Sequence, residues 1–81
     1  MSEPAAVRAL VAGHGEFAAG LISAVEAVTG RGATLEAIRV QGLCGEDIEQ
    51  RLRDRLQATG AEVVFTDLQA GSCTMAARRL L

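Results

Sequence analysis

The chain has 81 residues, with 8 arginines and no lysine against 10 acidic residues, for a formal charge of −2. That length holds one small domain, and 49% apolar with 22% charged residues fits a globular chain rather than a disordered one. An acidic chain without Lys, Trp or Tyr lacks the basic, aromatic surface that holds nucleic acid, and no apolar run approaches the roughly 20 residues of a membrane span.

Met-Ser-Glu-Pro-Ala-Ala opens the chain without a basic n-region, so no signal peptide is expected and the predicted localisation is cytoplasmic. Cys44 and Cys73 stand apart, with no C-x-x-C spacing, and read as reduced, structural thiols. Only one histidine is present, so a zinc site would need at least one carboxylate ligand. No short ligand spacing suggests one, and no metal is expected. Fifteen alanines and two aromatic residues predict a thin core, which leads us to expect a partner subunit or further chain.

Ala6 to Ala12 is a short apolar run, interrupted only by Arg8, and predicts a mostly buried strand. Gly13-His14-Gly15 follows as a tight loop. From Glu16 to Thr29 the period becomes helical, with Phe17, Leu21, Val25 and Val28 on one stripe and Gly30 as a C-terminal cap. Leu35 to Val40 alternates, with Leu35, Ala37 and Val40 set against Glu36 and Arg39, and predicts a second, less deeply buried strand. Gln41 to Gly45 is loop.

Glu46 to Ala58 predicts a second helix, with Ile48, Leu52 and Leu56 on a narrow apolar stripe. Asp47–Arg51 and Glu49–Arg53 fall at i,i+4 in the favourable order, and the charged faces read as solvated. Gly60 ends this helix. Glu62 to Thr66 is β-branched and aromatic, the strongest strand signal in the chain. Asp67 to Gly71 turns, and Ser72 or Thr74 caps a third helix through Leu80. The β-α-β-α-β-α order with short connections predicts a three-layer α/β fold: a parallel sheet, strand order 2-1-3, with helices on both faces.

In such sheets ligands bind beyond the carboxyl ends of the strands. Order 2-1-3 makes the Gly13-His14-Gly15 loop a neighbour of the loop that begins at Thr66-Asp67 and ends at Gly71-Ser72. A histidine and a carboxylate then meet beside two helix N-termini, a setting suited to a phosphoryl group. The carboxylate of Asp67 would take the proton of one ring nitrogen and free the other as nucleophile. Gly13-x-Gly15 between strand and helix also fits a nucleotide-binding loop. The third glycine of G-x-G-x-x-G is replaced by Ala18, and no G-x-x-x-x-G-K-[ST] is present. On spacing alone, the loop histidine also fits an ordinary surface residue.

Val11-Ala12-Gly13-His14-Gly15-Glu16-Phe17-Ala18-Ala19-Gly20-Leu21 resembles the active-site segment of the enzyme IIA domains of the mannose-class (mannose/fructose/sorbose) sugar phosphotransferase system. There, a histidine in an HG-x-x-A-x-G-type motif ends the first strand and carries phosphate. Phe65-Thr66-Asp67-Leu68-Gln69-Ala70-Gly71-Ser72 is similar to that family's TDL-F-G-G-S-P segment. The spacing between the two segments is also similar, as are the intervening strand and charged helix, so the resemblance covers most of the chain.

The resemblance implies that His14 is the phosphoacceptor and Asp67 its orienting carboxylate. Gly13, Gly15, Thr66, Gly71 and Ser72 would line the phosphate site. It implies the phosphocarrier HPr as donor, a sugar-specific IIB domain as acceptor, a homodimer, and no dissociable cofactor. Residues 1–81 would form a single IIA-like domain lacking the further strand and helices usual in that family. Gln69-Ala70 stand where the family has Phe-Gly, and Cys73 where proline is usual; Cys73 reads as a small buried filler. A non-catalytic regulatory module of the same fold is the competing reading, and a small nucleotide-binding domain the third.

Overall fold

β1 (Ala9–Gly13) is hydrogen-bonded on both edges, and each of its five residues is buried. The computed structural model describes residues 6–40, 42–67 and 72–81, except the side chain of Ser72. Around β1 run α1 (Phe17–Thr29), a 3-10 turn at Gly32–Thr34, β2 (Leu35–Arg39), α2 (Gly45–Thr59), β3 (Val63–Thr66) and α3 (Ser72–Leu80). All pairings are parallel, with Ala9 opposite both Leu35 and Val63, and the sheet order is β2-β1-β3. This is the α/β architecture predicted.

Residues alternate between the faces of a strand, and both faces of β1 are covered. Leu10 and Ala12 meet Ile38, Val40, Ile48, Leu52, Ala61, Cys73, Ala76 and Ala77, a core closed by α2 and α3. On the other face α1 packs over β1 and β2, burying Ala18. Val28, predicted on the apolar stripe of α1, is 84% exposed. At 3.6 residues per turn Val28 points about 80° away from Ala18, the buried residue of α1, and so lies at the rim of the packed face. The caps are as predicted: Gly30 and Gly60 end their helices at φ 71° and 74°, a left-handed conformation that suits glycine.

β2 departs from its predicted orientation. Val40 is buried as expected, but so is Ile38, whereas Ala37, expected inward, is exposed. The register explains the difference. Glu36 and Ile38 lie opposite Leu10 and Ala12, so they share the face covered by α2 and α3. Glu36 is tolerated there because Arg55 of α2 grips it with two bonds, Nε to Oε2 at 2.6 Å and Nη2 to Oε1 at 2.7 Å. Of the two predicted helix pairs, Glu49–Arg53 forms at 3.1 Å. Asp47–Arg51 does not occur among the described residues; Asp47 Oδ2 instead accepts the Cys44 thiol at 3.2 Å. Glu49 also binds Arg79, joining α2 to α3. Part of the charge run read as solvated therefore holds helices and sheet together.

The hydrogen bonds from Arg55, more than its charge alone, keep the Glu36 carboxyl below its usual range despite partial burial. A depressed folded value means stabilisation that is full above the unfolded value and lost as pH falls through the folded one. Thermal melts of wild type and Glu36→Gln should show wild type the more stable at neutral pH. The gap should narrow as acidification passes below the ordinary Glu value and through the lower folded one; a gap unchanged by acid contradicts the assignment.

Candidate functional site

The pairing of Ala12 with Thr66 sets the carboxyl ends of β1 and β3 side by side. His14 and Asp67, the next residues outward, meet across that junction. Asp67 Oδ2 accepts the backbone N–H of His14 at 2.9 Å and lies 3.0 Å from Nδ1 of the same residue. One oxygen therefore holds both the loop and the ring. The backbone N–H of His14, first among the causes, keeps the Asp67 carboxyl below its usual range, against the opposing effect of burial, with the ring adding to it. An ionised carboxylate only accepts, so Nδ1 carries the proton, and in the neutral ring Nε2 then keeps its lone pair. The Asp67 side chain is 13% exposed and that of His14 51%, which leaves the imidazole within reach of a partner.

The two glycines flanking His14 serve different ends. A Cβ on Gly13 would lie 2.4 Å from Phe17 Cδ2 and 3.2 Å from Asp67 Cγ, so only glycine lets α1 and Asp67 close on the loop. Gly15 has open space but φ +54°, and Phe17 N–H then closes the turn onto the His14 carbonyl at 3.2 Å.

The structure brings together His14, Asp67, Gly13 and Gly15 of the predicted set. Thr66 ends β3, but its hydroxyl is bonded to that of Thr74. Thr74 sits inside α3 rather than capping it, because the helix already begins at Ser72. Gly71, the side chain of Ser72, and the Gln69-Ala70 departure lie outside the described residues. Arg39 faces outward at the end of β2, and no sequence signal ties it to the site. The register places it opposite Gly13, where it pairs with Glu16 at 3.3 Å on the exposed rim. Cys73 is fully buried, as predicted for a filler, and its thiol is pushed up first by burial and then by the Asp67 charge. It also shares space with the pair. A ring nitrogen of His14, a carboxylate oxygen of Asp67 and Sγ of Cys73 lie within 4.8 Å of one another. No sequence spacing announced that cluster.

No protein-family model matches the sequence, and no curated protein matches it significantly. A solved structure does. The crystal structure of phosphotransferase system component EIIA from Streptococcus agalactiae is similar to this chain at a TM-score of 0.76 and 24% identity, over 91% of this chain. The likeness is one of fold. The chain spans 58% of that protein's length.

Chemically, a fixed tautomer, a largely shielded counter-charge and a half-exposed ring make a nucleophile able to take and release an electrophilic group. The glycine geometry tests the frame. Gly13→Ala should break the Nδ1 hydrogen bond, seen as a changed ring-nitrogen resonance. Gly15→Ala should keep that bond while losing about 1–2 kcal/mol in urea unfolding, the cost of left-handed backbone for an L-residue. An unperturbed ring in Gly13→Ala would refute the close-packing argument.

Proposed function

We propose that this chain is a phosphotransferase-system IIA component of the mannose class, a phosphohistidine carrier. His14 takes a phosphoryl group from phospho-HPr and passes it to a sugar-specific IIB domain. The observation that carries this reading is the double hold of Asp67 Oδ2 on the backbone and ring of His14. The likeness of fold to a phosphotransferase system component supports it, as does the resemblance of the two loop segments.

In the proposed transfer, Nε2 attacks phosphorus, the P–N bond in the donor breaks and the P–Nε2 bond forms. The ring keeps its Nδ1 proton and becomes cationic, and Asp67 balances that charge without accepting the proton. Transfer to the acceptor reverses the step at Nε2. Gly15 leaves the loop open to the phosphoryl group, and Gly13, Thr66, Gly71 and Ser72 belong to its lining in this reading. No dissociable cofactor takes part. The domain works in the cytoplasm, as one partner in a relay.

Incubation with phospho-HPr should give an acid-labile, base-stable adduct on His14. His14→Ala should give none while keeping its circular dichroism spectrum. Asp67→Asn keeps the shape but loses the counter-charge, and transfer should slow by about 10²–10⁴-fold, by analogy with loss of a triad aspartate. Retained transfer in His14→Ala, or wild-type rates in Asp67→Asn, refutes the mechanism. A folded wild type that takes no phosphate favours the non-catalytic module.

We also infer a homodimer. Val63 and Phe65 on the edge strand β3 are 46% and 48% exposed, an apolar edge of the kind that pairs with another chain. The melting temperature should then rise with protein concentration. A concentration-independent melt with a monomeric sedimentation coefficient would sink this part.

A further inference from the structure

The three groups that converge at the end of β1 differ in kind: an imidazole, a carboxylate and a thiol. Each is a zinc ligand, and together with one open position they match the composition of a three-ligand zinc site. In such a site, metal bonds of 2.0–2.3 Å set neighbouring ligand atoms about 3.3–3.8 Å apart. Here the atoms already lie within 4.8 Å of one another, and Nδ1 and Oδ2 are 3.0 Å apart. Closure needs movements of about an ångström, less than a rotamer change.

A second observation bears on the same place. Oδ1 of Asp67 is buried and has no hydrogen-bond partner among the described residues. Unpaired buried oxygens are uncommon, and a bound ion is one way in which they are satisfied. The residue next to it is equally suggestive. Cys73 has no exposed surface of its own, while the half-exposed side chain of His14 gives the cluster an opening to solvent.

We propose that this cluster is a binding site for Zn2+, and that the ion silences the imidazole. Binding joins the metal to a ring nitrogen of His14, a carboxylate oxygen of Asp67 and the Cys73 thiolate, with the thiol proton released to solvent. The two anionic ligands neutralise the ion, and water fills the fourth position. If the metal takes Nδ1, the ring proton moves to Nε2 and removes its lone pair. If it takes Nε2, the lone pair itself is used. Either way the nucleophile is lost. The site stands on geometry alone; only its consequence for phosphoryl transfer rests on the proposed function.

Titration of the reduced protein with Co2+ should give a thiolate-to-metal charge-transfer band saturating at one equivalent, displaced by Zn2+. Cys73→Ala should lose the band, and His14→Ala should bind at least tenfold more weakly. Cys44→Ala, which removes the exposed thiol beside Asp47, should retain the band. His14 is the only histidine in the chain, so acylation by diethyl pyrocarbonate reads its nucleophilicity without any partner protein. Zn2+ should protect it in wild type and need at least tenfold more metal to do so in Cys73→Ala. Absence of the band, its loss in Cys44→Ala with survival in Cys73→Ala, or unimpeded acylation at saturating Zn2+ overturns the proposal.

Discussion

Burial of β1 on both faces is the constraint from which the rest of the structure follows. A five-residue strand with partners on both edges and helices above and below has no freedom of register. Its neighbours are therefore placed to within a residue. β2 sets Arg39 opposite Gly13, and β3 sets Thr66 opposite Ala12. The first residues beyond the sheet, His14 and Asp67, are thereby brought side by side, and the loop contacts at Gly13 and the His14 backbone then hold them.

That origin explains the economy of the pair. A loop histidine held only by its own backbone would lose much rotamer freedom on binding a partner. Here one carboxylate oxygen restrains loop and ring together, and most of the ordering is complete before any partner arrives. The same carboxylate sits against a buried thiol, which a phosphoryl carrier does not require. Its presence places a second kind of ligand chemistry within reach of the same imidazole.

Much of this was legible in the sequence because it rested on strong local signals. Glycines bracketed the elements, the EVVFT stretch marked β3, and short connections between strands and helices left few parallel topologies. The His14–Asp67 meeting followed from strand order alone. What was not legible depended on register or on long side chains. Glu36 and Arg39 stand three apart and must face opposite sides, so alternation alone left the inward face of β2 ambiguous. Packing under α2 and α3, with Arg55 reaching back to hold Glu36, decided it for Ile38 and Val40. Thr74 was a plausible cap from residue type, but its hydroxyl found Thr66 across the chain instead. Cys73 read correctly as buried, while its approach to His14 came from two separate strand ends and a helix start. No spacing rule covers such a meeting.

Asp67, by accepting from Nδ1, fixes the tautomer of His14 and leaves Nε2 bare in the neutral ring. With a single histidine, long-range proton–nitrogen correlation spectra of the uniformly 15N-labelled, metal-free protein at neutral pH report this residue alone. The neutral ring should carry its proton on Nδ1, with Nε2 unprotonated. A ring carrying its proton on Nε2, with Nδ1 bare beside the Asp67 carboxylate, would contradict this assignment.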